Sequence, residues 1–390
     1  MFDQLVITPA DPIMAVMAQH KADTRADKID LGPGVYRDEE GNTPVMHAVK
    51  QAEEILLAKQ KSKAYIGLVG DTLFLQHLRD LAFGDIPNEM HRLTSIQTPG
   101  GCGALGLAAK LVKHSAPENK ILFGAPTWAN HTPLFSAAGI TIESHRYYDS
   151  VLKKVDFPSI REALMSANSG DVALLHACCH NPTGADLSFK QWQKITDICN
   201  QKGIIPLVDM AYQGFGQGLE EDRQGLRHII QNVPEAIVTV SCSKNFGLYR
   251  ERTGAIFVLA KNQVSANIVQ ANLCSFARHS YSMPPDHGAA IVATILDDQK
   301  LRASWMAELS HMRKRVVQTR RSLMTELSDN TDSIFLQNQS GLFSLLPLTP
   351  KQISDLKELH GIYMATDGRI NMAGFRPKDI QRFAMALNAL

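Results

Sequence analysis

A lysine and two arginines follow directly on an apolar segment in the stretch SCSKNFGLYRER, which runs from Ser241 to Arg252. Like charges repel, so a fixed anion beside Lys244, Arg250 and Arg252 would explain why the three cations are close in sequence. The alternative is a solvated loop after a strand, with no ligand. The other polar clusters of the chain decide between a bound anion and a solvated loop.

Glycines lead into a helical pattern in the segment TPGGCGALGLAAKLVK. Backbone amides at such a helix N-terminus are free to bind a phosphate. Gly101, Gly103 and Gly106 also fit the spacing G-x-G-x-x-G of dinucleotide sites. That interpretation is disfavoured, because the next apolar segment, ILFGAPTW, lacks the acidic residue that a dinucleotide site needs.

Asn181 and a Pro-Thr-Gly turn follow another apolar segment, in HACCHNPTG. A plain turn explains this motif as well as a binding site does. His176, Cys178, Cys179 and His180 would suggest zinc. Adjacent cysteines on a strand, however, point to opposite faces of the sheet, and both could bind one ion only across a bulge. We therefore expect no metal site.

Asp209 ends the apolar segment of LVDMAYQGF, and Tyr212 follows three residues later. A partly desolvated carboxylate at this position needs a cationic or protonated partner. The chain thus offers a phosphate cradle, an acid at one strand end and Lys244 at the next. Pyridoxal phosphate requires this set, because it needs a lysine for a Schiff base, an acid at its pyridine nitrogen and donors for its phosphate.

The elements that position these residues alternate between short apolar runs and amphipathic stretches from about residue 93 to residue 260. The predicted strands cover residues 121–125, 140–144, 171–177, 204–210, 236–241 and 255–260. Nearly continuous apolar strands separated by helices indicate a mostly parallel α/β sheet that is covered on both faces. The carboxyl ends of such strands are where a site collects.

Helix boundaries are marked by two predicted capping boxes, Ser188 with Gln191 and Thr349 with Gln352. Residues 297–329 form one long helical pattern, and shorter elements follow it. We predict a large cofactor-binding domain and a smaller α+β domain. The predicted bounds are 1–12 for an N-terminal arm, 45–311 for the large domain, and 13–44 with 312–390 for the small domain.

The composition of the chain limits the binding partners and the cellular compartment that we expect for it. The 390 residues carry a net charge of +1, which gives no electrostatic reason to expect nucleic acid or an anionic membrane as a partner. The chain has no apolar run of membrane-spanning length, and its first residues do not resemble a signal peptide. The six cysteines form no C-x-x-C pair, which favours reduced thiols in a cytoplasmic protein.

Taken in order, eight motifs resemble the class I aspartate and aromatic amino acid aminotransferases, enzymes of the pyridoxal-phosphate-dependent transferase fold type I. The motifs are YIG, GGCGAL, PTWANH, HNPTGAD, DMAYQGF, SCSKNFGLYRERTGA, SYSMPPDHGA and DGRINMAG. They extend over essentially the whole chain. The resemblance implies the cofactor pyridoxal 5'-phosphate and a large domain whose mostly parallel sheet lies between helices, plus a smaller α+β domain.

The resemblance also implies roles at the cofactor. Lys244 would bind it as a Schiff base and act as the base, Asp209 would pair with its pyridine nitrogen, and His131 would orient Asp209. Further contacts are implied at the phenolic oxygen (Asn181 and the catalytic Tyr212), at the ring face (Trp128) and at the phosphate (Gly101, Cys102, Ser241, Arg252 and, from a second subunit, Tyr65).

At the substrate, the resemblance implies that Arg369 binds the α-carboxylate, with help from Asn181 and the Gly34 amide, beside Trp128. Arg278 and Ser282 of a neighbouring subunit would meet a distal carboxylate. The protein would therefore be a homodimer with shared active sites.

The expected function is ping-pong transfer of the amino group of phenylalanine, tyrosine, tryptophan or aspartate to 2-oxoglutarate. A strict aspartate aminotransferase, and a β-lyase or decarboxylase on the same scaffold, stay open as alternatives. A ligand-sensing regulator is disfavoured, because we expect no room for a DNA-binding module. Two residues depart from the family pattern: Cys102 replaces the usual threonine or serine, and Pro33 replaces an aliphatic residue.

Overall fold

The computed structural model of the chain describes residues 2–6, 12–327 and 333–390. The chain folds as two compact units. The first comprises residues 1–43, 315–338 and 342–390, and the second comprises residues 44–314 and 339–341. Part of the predicted arm, residues 1 and 7–11, and the end of the long helical pattern, residues 328–329, lie outside the described residues. The three-part domain division stays a prediction.

Thirteen strands are assigned within the described ranges. In chain order they are β1 (Ile29–Asp30), β2 (Leu93–Pro99), β3 (Lys120–Ala125), β4 (Thr141–Arg146), β5 (Tyr148–Asp149), β6 (Lys154–Val155), β7 (Val172–His176), β8 (Ile205–Met210), β9 (Ala236–Ser241), β10 (Thr253–Leu259), β11 (Phe343–Leu345), β12 (Ile362–Tyr363) and β13 (Arg369–Asn371).

The same ranges contain thirteen α-helices. In chain order they are α1 (Pro12–Ala22), α2 (His47–Lys59), α3 (Thr72–Phe83), α4 (Gly100–Ser115), α5 (His131–Ala137), α6 (Phe157–Ser166), α7 (Phe189–Lys202), α8 (Gln224–Asn232), α9 (Gln263–Ser280), α10 (His287–Asp297), α11 (Gln299–Glu326), α12 (Pro350–His360) and α13 (Pro377–Asn388). None of them has both the length and the apolar character needed to cross a bilayer.

The second unit is built on a seven-stranded sheet with the order β2-β10-β9-β8-β7-β3-β4. β10 runs antiparallel to both of its neighbours, whereas β9, β8, β7, β3 and β4 run parallel. This confirms the predicted mostly parallel α/β sheet, and all six predicted strands are present. β2 was not predicted, because its sequence LTSIQTP mixes polar and apolar residues.

Buried apolar side chains of α4 and of the strands form the core of this unit, and Ile96, Leu105, Ile121, Leu207 and Ile256 are among those that lose nearly all their solvent contact. Burying such side chains stabilises the fold by about 1.5–3 kcal/mol each. The core therefore fixes the strand ends from which the polar residues project.

Local sequence signals define the ends of several helices. Ser188 and Gln191 form the predicted capping box of α7, and Thr349 and Gln352 form that of α12. In each box, the hydroxyl accepts the amide at the third helical position, and the glutamine side chain accepts the amide of the capping residue. Both predictions are confirmed.

The first unit contains two short sheets, β1 with β12 and β11 with β13. Asn371 donates from its side-chain amide to the Pro33 and Val35 carbonyls, at 2.6 and 2.7 Å. These bonds tie the chain around Gly34 to β13. A Cβ on Gly34 would lie 2.7 Å from the Phe343 ring, so this close approach requires glycine.

Candidate active site

Asp209 lies near the carboxyl end of β8 and is almost completely buried. The Thr239 hydroxyl donates to its Oδ1 at 2.7 Å, and the His131 Nε2 lies 3.6 Å from its Oδ2. Burial raises the pKa of Asp209, but the His131 and His176 imidazoles and the Thr239 hydroxyl together hold it below the ordinary aspartate value. The carboxylate is therefore ionised at neutral pH and faces two histidines.

His131 begins α5 and has no solvent exposure. Its Nδ1 lies 2.8 Å from the Thr127 hydroxyl, and its ring meets the Trp128 ring edge-on at 5.3 Å. The structure thus joins three predicted residues, Trp128, His131 and Asp209, through direct contacts. Trp128 is half-buried.

Lys244 follows β9, which pairs with β8 in parallel, so the lysine and the acid leave neighbouring strands at the same edge of the sheet. The Lys244 Nζ lies 4.7 Å from the centre of the Tyr212 ring. Lys244 is half-buried and Tyr212 is buried. A lysine held between solvent and an aromatic face can both carry a proton and reach a ligand. Arg250, by contrast, is exposed.

The N-terminus of α4 meets the ends of β9 and β10. A Cβ on Gly101 would lie 3.1 Å from the Ser241 Cβ, and one on Gly100 would lie 2.7 Å from an Arg252 Nη. Arg252 adopts a φ of 53°, and its guanidinium donates to the Ser243 hydroxyl at 3.3 Å. Helix amides, hydroxyls and a guanidinium that converge in this way bind phosphate groups.

Cys102 is the third residue of α4 and is exposed. Its Sγ accepts from the Asn130 side-chain amide at 3.3 Å. Cys102 thus lies in the first turn of α4, the helix whose N-terminal amides are predicted to bind a phosphate.

Arg369 lies on β13 in the first unit and is buried. It donates to the Gly32 carbonyl at 2.9 Å, and its guanidinium carbon lies 4.4 Å from the centre of the Phe343 ring. These contacts hold the guanidinium beside the loop that contains Gly34. A fixed guanidinium is suited to a carboxylate, which it can bind through two parallel hydrogen bonds.

Four further predicted residues, Asn181, Tyr65, Arg278 and Ser282, differ in their exposure and in the elements that carry them. Asn181 is buried and follows β7. Tyr65 is 90% exposed. Arg278, at the exposed end of α9, donates to the Ser282 hydroxyl, and Ser282 has a φ of 67°.

Thr239 and Ser243 are among the residues around the candidate site that the sequence reasoning missed. Thr239 lies on the same face of β9 as Ser241, because side chains alternate between the two faces of a strand. This two-residue period could have identified Thr239. Ser243 accepts from Arg252 and contacts Ser241 at 3.1 Å. It lies in a loop, where no such period exists.

Cys178 and Cys179 do not lie on a strand, so the prediction that they point to opposite faces of the sheet was wrong. β7 ends at His176, and Cys179 has a φ of 53°, so the pair lies in a turn that brings the two thiols together. Their Sγ atoms and an Asp222 oxygen lie within 4.8 Å of one another. Asp222, however, already accepts four backbone amides, those of Gly214, Gly216, Gln217 and Gly218.

Both thiols are protonated at neutral pH. Contact with Cys179 and burial raise the pKa of Cys178, and burial raises the pKa of Cys179 to about 11. Metal binding would require thiolates. In a second group, one ring nitrogen each of His131 and His176 and a carboxylate oxygen of Asp209 also lie within 4.8 Å of one another. This group is part of the surroundings of Asp209 described above.

Known proteins resemble this chain over its full length. The family model described as aminotransferase class I and II matches residues 26–387. A tyrosine aminotransferase of Rhizobium meliloti is 49% identical over 100% of both chains, and an aspartate aminotransferase of Escherichia coli is 40% identical over 100% of both.

Solved structures agree with the sequence relatives. The aromatic-amino-acid aminotransferase from Burkholderia pseudomallei, covalently bound to pyridoxal phosphate, superimposes with a TM-score of 0.97 at 35% identity, covering 100% of this chain and 99% of that one. Together with the family match, this establishes that the chain belongs to the class I and II aminotransferases, whose cofactor is pyridoxal phosphate.

Proposed function

We propose that this aminotransferase moves the amino group of aromatic amino acids and of aspartate to 2-oxoglutarate in a ping-pong cycle. The observation that carries the site assignment is the buried, ionised Asp209, held by His131 and Thr239 on the strand next to the one that leads to Lys244. Tyrosine, aromatic and aspartate aminotransferases at 40–49% identity support the substrate class.

The side chains fit the cofactor. Gly101, Ser241, Ser243 and Arg252 would hold the phosphate, and Cys102 would lie beside it. Asp209 would keep a proton on the pyridine nitrogen, because an ionised acid favours a cationic partner. Asn181 and Tyr212 would donate to the phenolic oxygen, and Trp128 would cover the ring.

When bound, pyridoxal phosphate supplies an electron sink for negative charge at the substrate α-carbon. The protein supplies the proton transfer. Lys244, released from its covalent link, would take the proton from the α-carbon as a neutral amine, and the Tyr212 ring, whose centre lies 4.7 Å from the Lys244 Nζ, would limit its freedom. His131 lies 3.6 Å from the Asp209 carboxylate and would hold it in one orientation toward the pyridine nitrogen of the cofactor.

Arg369 would bind the α-carboxylate that all substrates share, with Asn181 and the Gly34 amide as further donors. Arg278 and Ser282 of a second subunit would read the distal carboxylate of aspartate, glutamate or 2-oxoglutarate. We therefore propose a homodimer with shared sites. The six free cysteines agree with a cytoplasmic location.

The test is a comparison of initial rates with aspartate, phenylalanine and tyrosine against 2-oxoglutarate. Parallel double-reciprocal plots with all three donors are expected. Activity with aspartate alone would favour the strict aspartate aminotransferase, which relatives such as the Escherichia coli enzyme support. Release of product without 2-oxoglutarate would favour a lyase or decarboxylase.

The variant Arg278→Leu separates the two substrate classes. It should lose much more kcat/KM with aspartate than with phenylalanine, because a charge-assisted hydrogen bond contributes about 1.5–3 kcal/mol. Equal losses with both substrates would contradict the role proposed for Arg278.

A further inference from the structure

A small cavity with several polar side chains in its lining lies among β3, β4 and β7, and β7 pairs with the strand that carries Asp209. Its volume is about 20 Å³, and its lining includes Thr127, His145, Tyr147, His176 and His180. A cavity of roughly 10–15 Å³ or more holds one water molecule when two or more polar groups face it. The volume and the lining of this cavity meet both conditions.

Two of the histidines that line this cavity each have a ring nitrogen without a hydrogen-bond partner among the described residues. The Nδ1 of His145 and the Nδ1 of His176 are both shielded from solvent, and neither takes part in a hydrogen bond there. His180 and His131, by contrast, use their Nδ1 atoms on Thr183 and Thr127, at 2.9 and 2.8 Å. Two buried polar atoms without a partner carry a cost that a bridging molecule removes.

The charge state of the cavity favours a neutral ligand. Burial lowers the pKa of His145 to about 4 and that of His176 to about 3, so both imidazoles are uncharged at neutral pH. The titratable groups that face them are Glu143, beside His145, and His131, His180 and Asp209, beside His176, with Tyr147 in the lining. Uncharged imidazoles offer one donor and one acceptor each, and water can satisfy either.

His176 connects the cavity to the active site. It lies opposite Asp209 in the parallel pairing of β7 and β8, and it forms the close group with His131 and Asp209. His145 lies on β4, paired with Gly124 of β3, and reaches the cavity from the other side.

We propose that this cavity binds one water molecule, hydrogen-bonded to the Nδ1 atoms of His145 and His176, and that His145 acts through it as a positioning residue for His176 and Asp209. The second half of this inference rests on the proposed role of Asp209 at the cofactor. His145 touches neither substrate nor cofactor in this scheme.

The test uses the holoenzyme and two substitutions of different shape. His145→Asn keeps a polar atom near the position of Nδ1, whereas His145→Leu removes it. The readouts are electron density in the cavity and the pH midpoint of the cofactor's visible absorbance. We expect water in the wild type and in His145→Asn, no water in His145→Leu, and a midpoint shifted by ~0.5 pH unit or more only in the leucine variant.

His311→Leu, at an exposed position of α11, is the control for loss of a histidine and should leave the midpoint unchanged. An empty cavity in the wild type would overturn the inference, as would an unmoved midpoint in His145→Leu or an equal shift in His145→Asn. If His145→Leu does not fold, His145→Gln replaces it, because its longer amide cannot occupy the Nδ1 position.

Asp209→Asn separates this inference from the function on which it rests. The proposed function requires that this variant change the cofactor's absorbance. A changed spectrum in Asp209→Asn with an unmoved midpoint in His145→Leu would overturn only the positioning role. An unchanged spectrum in Asp209→Asn would overturn the role of Asp209 and the positioning role with it.

Discussion

Lys244 combines two tasks, since it would hold the cofactor covalently and also move the proton. Lys244→Ala should therefore keep bound cofactor through the phosphate and ring contacts but lose turnover by ~10²–10⁴-fold or more. Steady-state rates and the absorbance of the dialysed variant check this. Substantial activity without added amines would contradict the assignment.

Cys102 differs from the other members of the proposed phosphate cradle because it is an exposed thiol at a helix N-terminus. Alkylation of Cys102 should be fast in the apoenzyme and strongly suppressed once pyridoxal phosphate is bound, because the phosphate covers this position. Peptide mass mapping of all six cysteines measures it, and the buried Cys199 serves as the internal control. Equal labelling with and without cofactor would show that this glycine loop is not the cradle.

Replacing the thiol with the usual family residue gives a second prediction. Cys102→Thr should bind the cofactor more tightly by about 1 kcal/mol, since a hydroxyl donates a stronger hydrogen bond than a thiol. Equilibrium titration of the apoenzyme, with Cys102→Ala for comparison, measures the difference. A threonine variant that binds no better than the alanine variant would contradict it.

For single residues, the chemical role of a side chain was easier to predict than the residues that it contacts. An acid that ends an apolar strand must find a cationic or polar partner, so Asp209 was identifiable from its position alone, whereas His131 came only from the family resemblance. Cys178 and Cys179 were misjudged because they were treated as strand residues, whereas β7 ends at His176 and the two cysteines lie in the turn that follows it. Strand ends depend on tertiary hydrogen bonds that a sequence pattern does not record.

At the scale of elements, β10 and α4 approach each other closely at Gly254, beside the residues of the proposed phosphate cradle. A Cβ on Gly254 would lie 2.5 Å from the Val240 carbonyl oxygen and 2.8 Å from the Gly100 carbonyl carbon. Gly254→Ala should therefore lower the free energy of unfolding by about 1–3 kcal/mol and weaken cofactor binding, because backbone must move.

Gly106→Ala is the matched control, since a Cβ at this position of α4 meets nothing within 4 Å. It should be neutral or stabilising by up to about 1 kcal/mol. Chemical denaturation and cofactor titration of both variants give the comparison. Equal effects of the two alanines would show that the close approach at Gly254 is unimportant.

The elements themselves were largely predictable from the chain. Apolar runs gave the six strands, and capping residues gave the starts of α7 and α12, because these signals are local. β2 was not recognised because its buried polar residues, Gln97 and Thr98, have their partners far away in sequence or at the first residue of α4.

At the scale of the whole molecule, the proposed dimer makes a prediction of its own. Lys244→Ala and Arg278→Leu chains should each be nearly inactive with aspartate, but mixing them should restore part of the activity. A hybrid dimer would contain one site with both residues intact. Tagged subunits establish that exchange has occurred, and no recovery after exchange would count against shared sites.

A consequence follows from the one reversed strand of the central sheet. Because β10 returns beside β9, the loop between them has both its ends fixed, with Lys244 near its start and Arg252 at its end. Under the proposed roles, a single loop contacts the cofactor at its aldehyde end, through Lys244, and at its phosphate end, through Arg252. Binding at one end would raise the effective concentration of the other end near its own binding residue, as in a chelate. Pyridoxal without its phosphate would then have to find the lysine from bulk solution, and it would load far more slowly than the phosphorylated form.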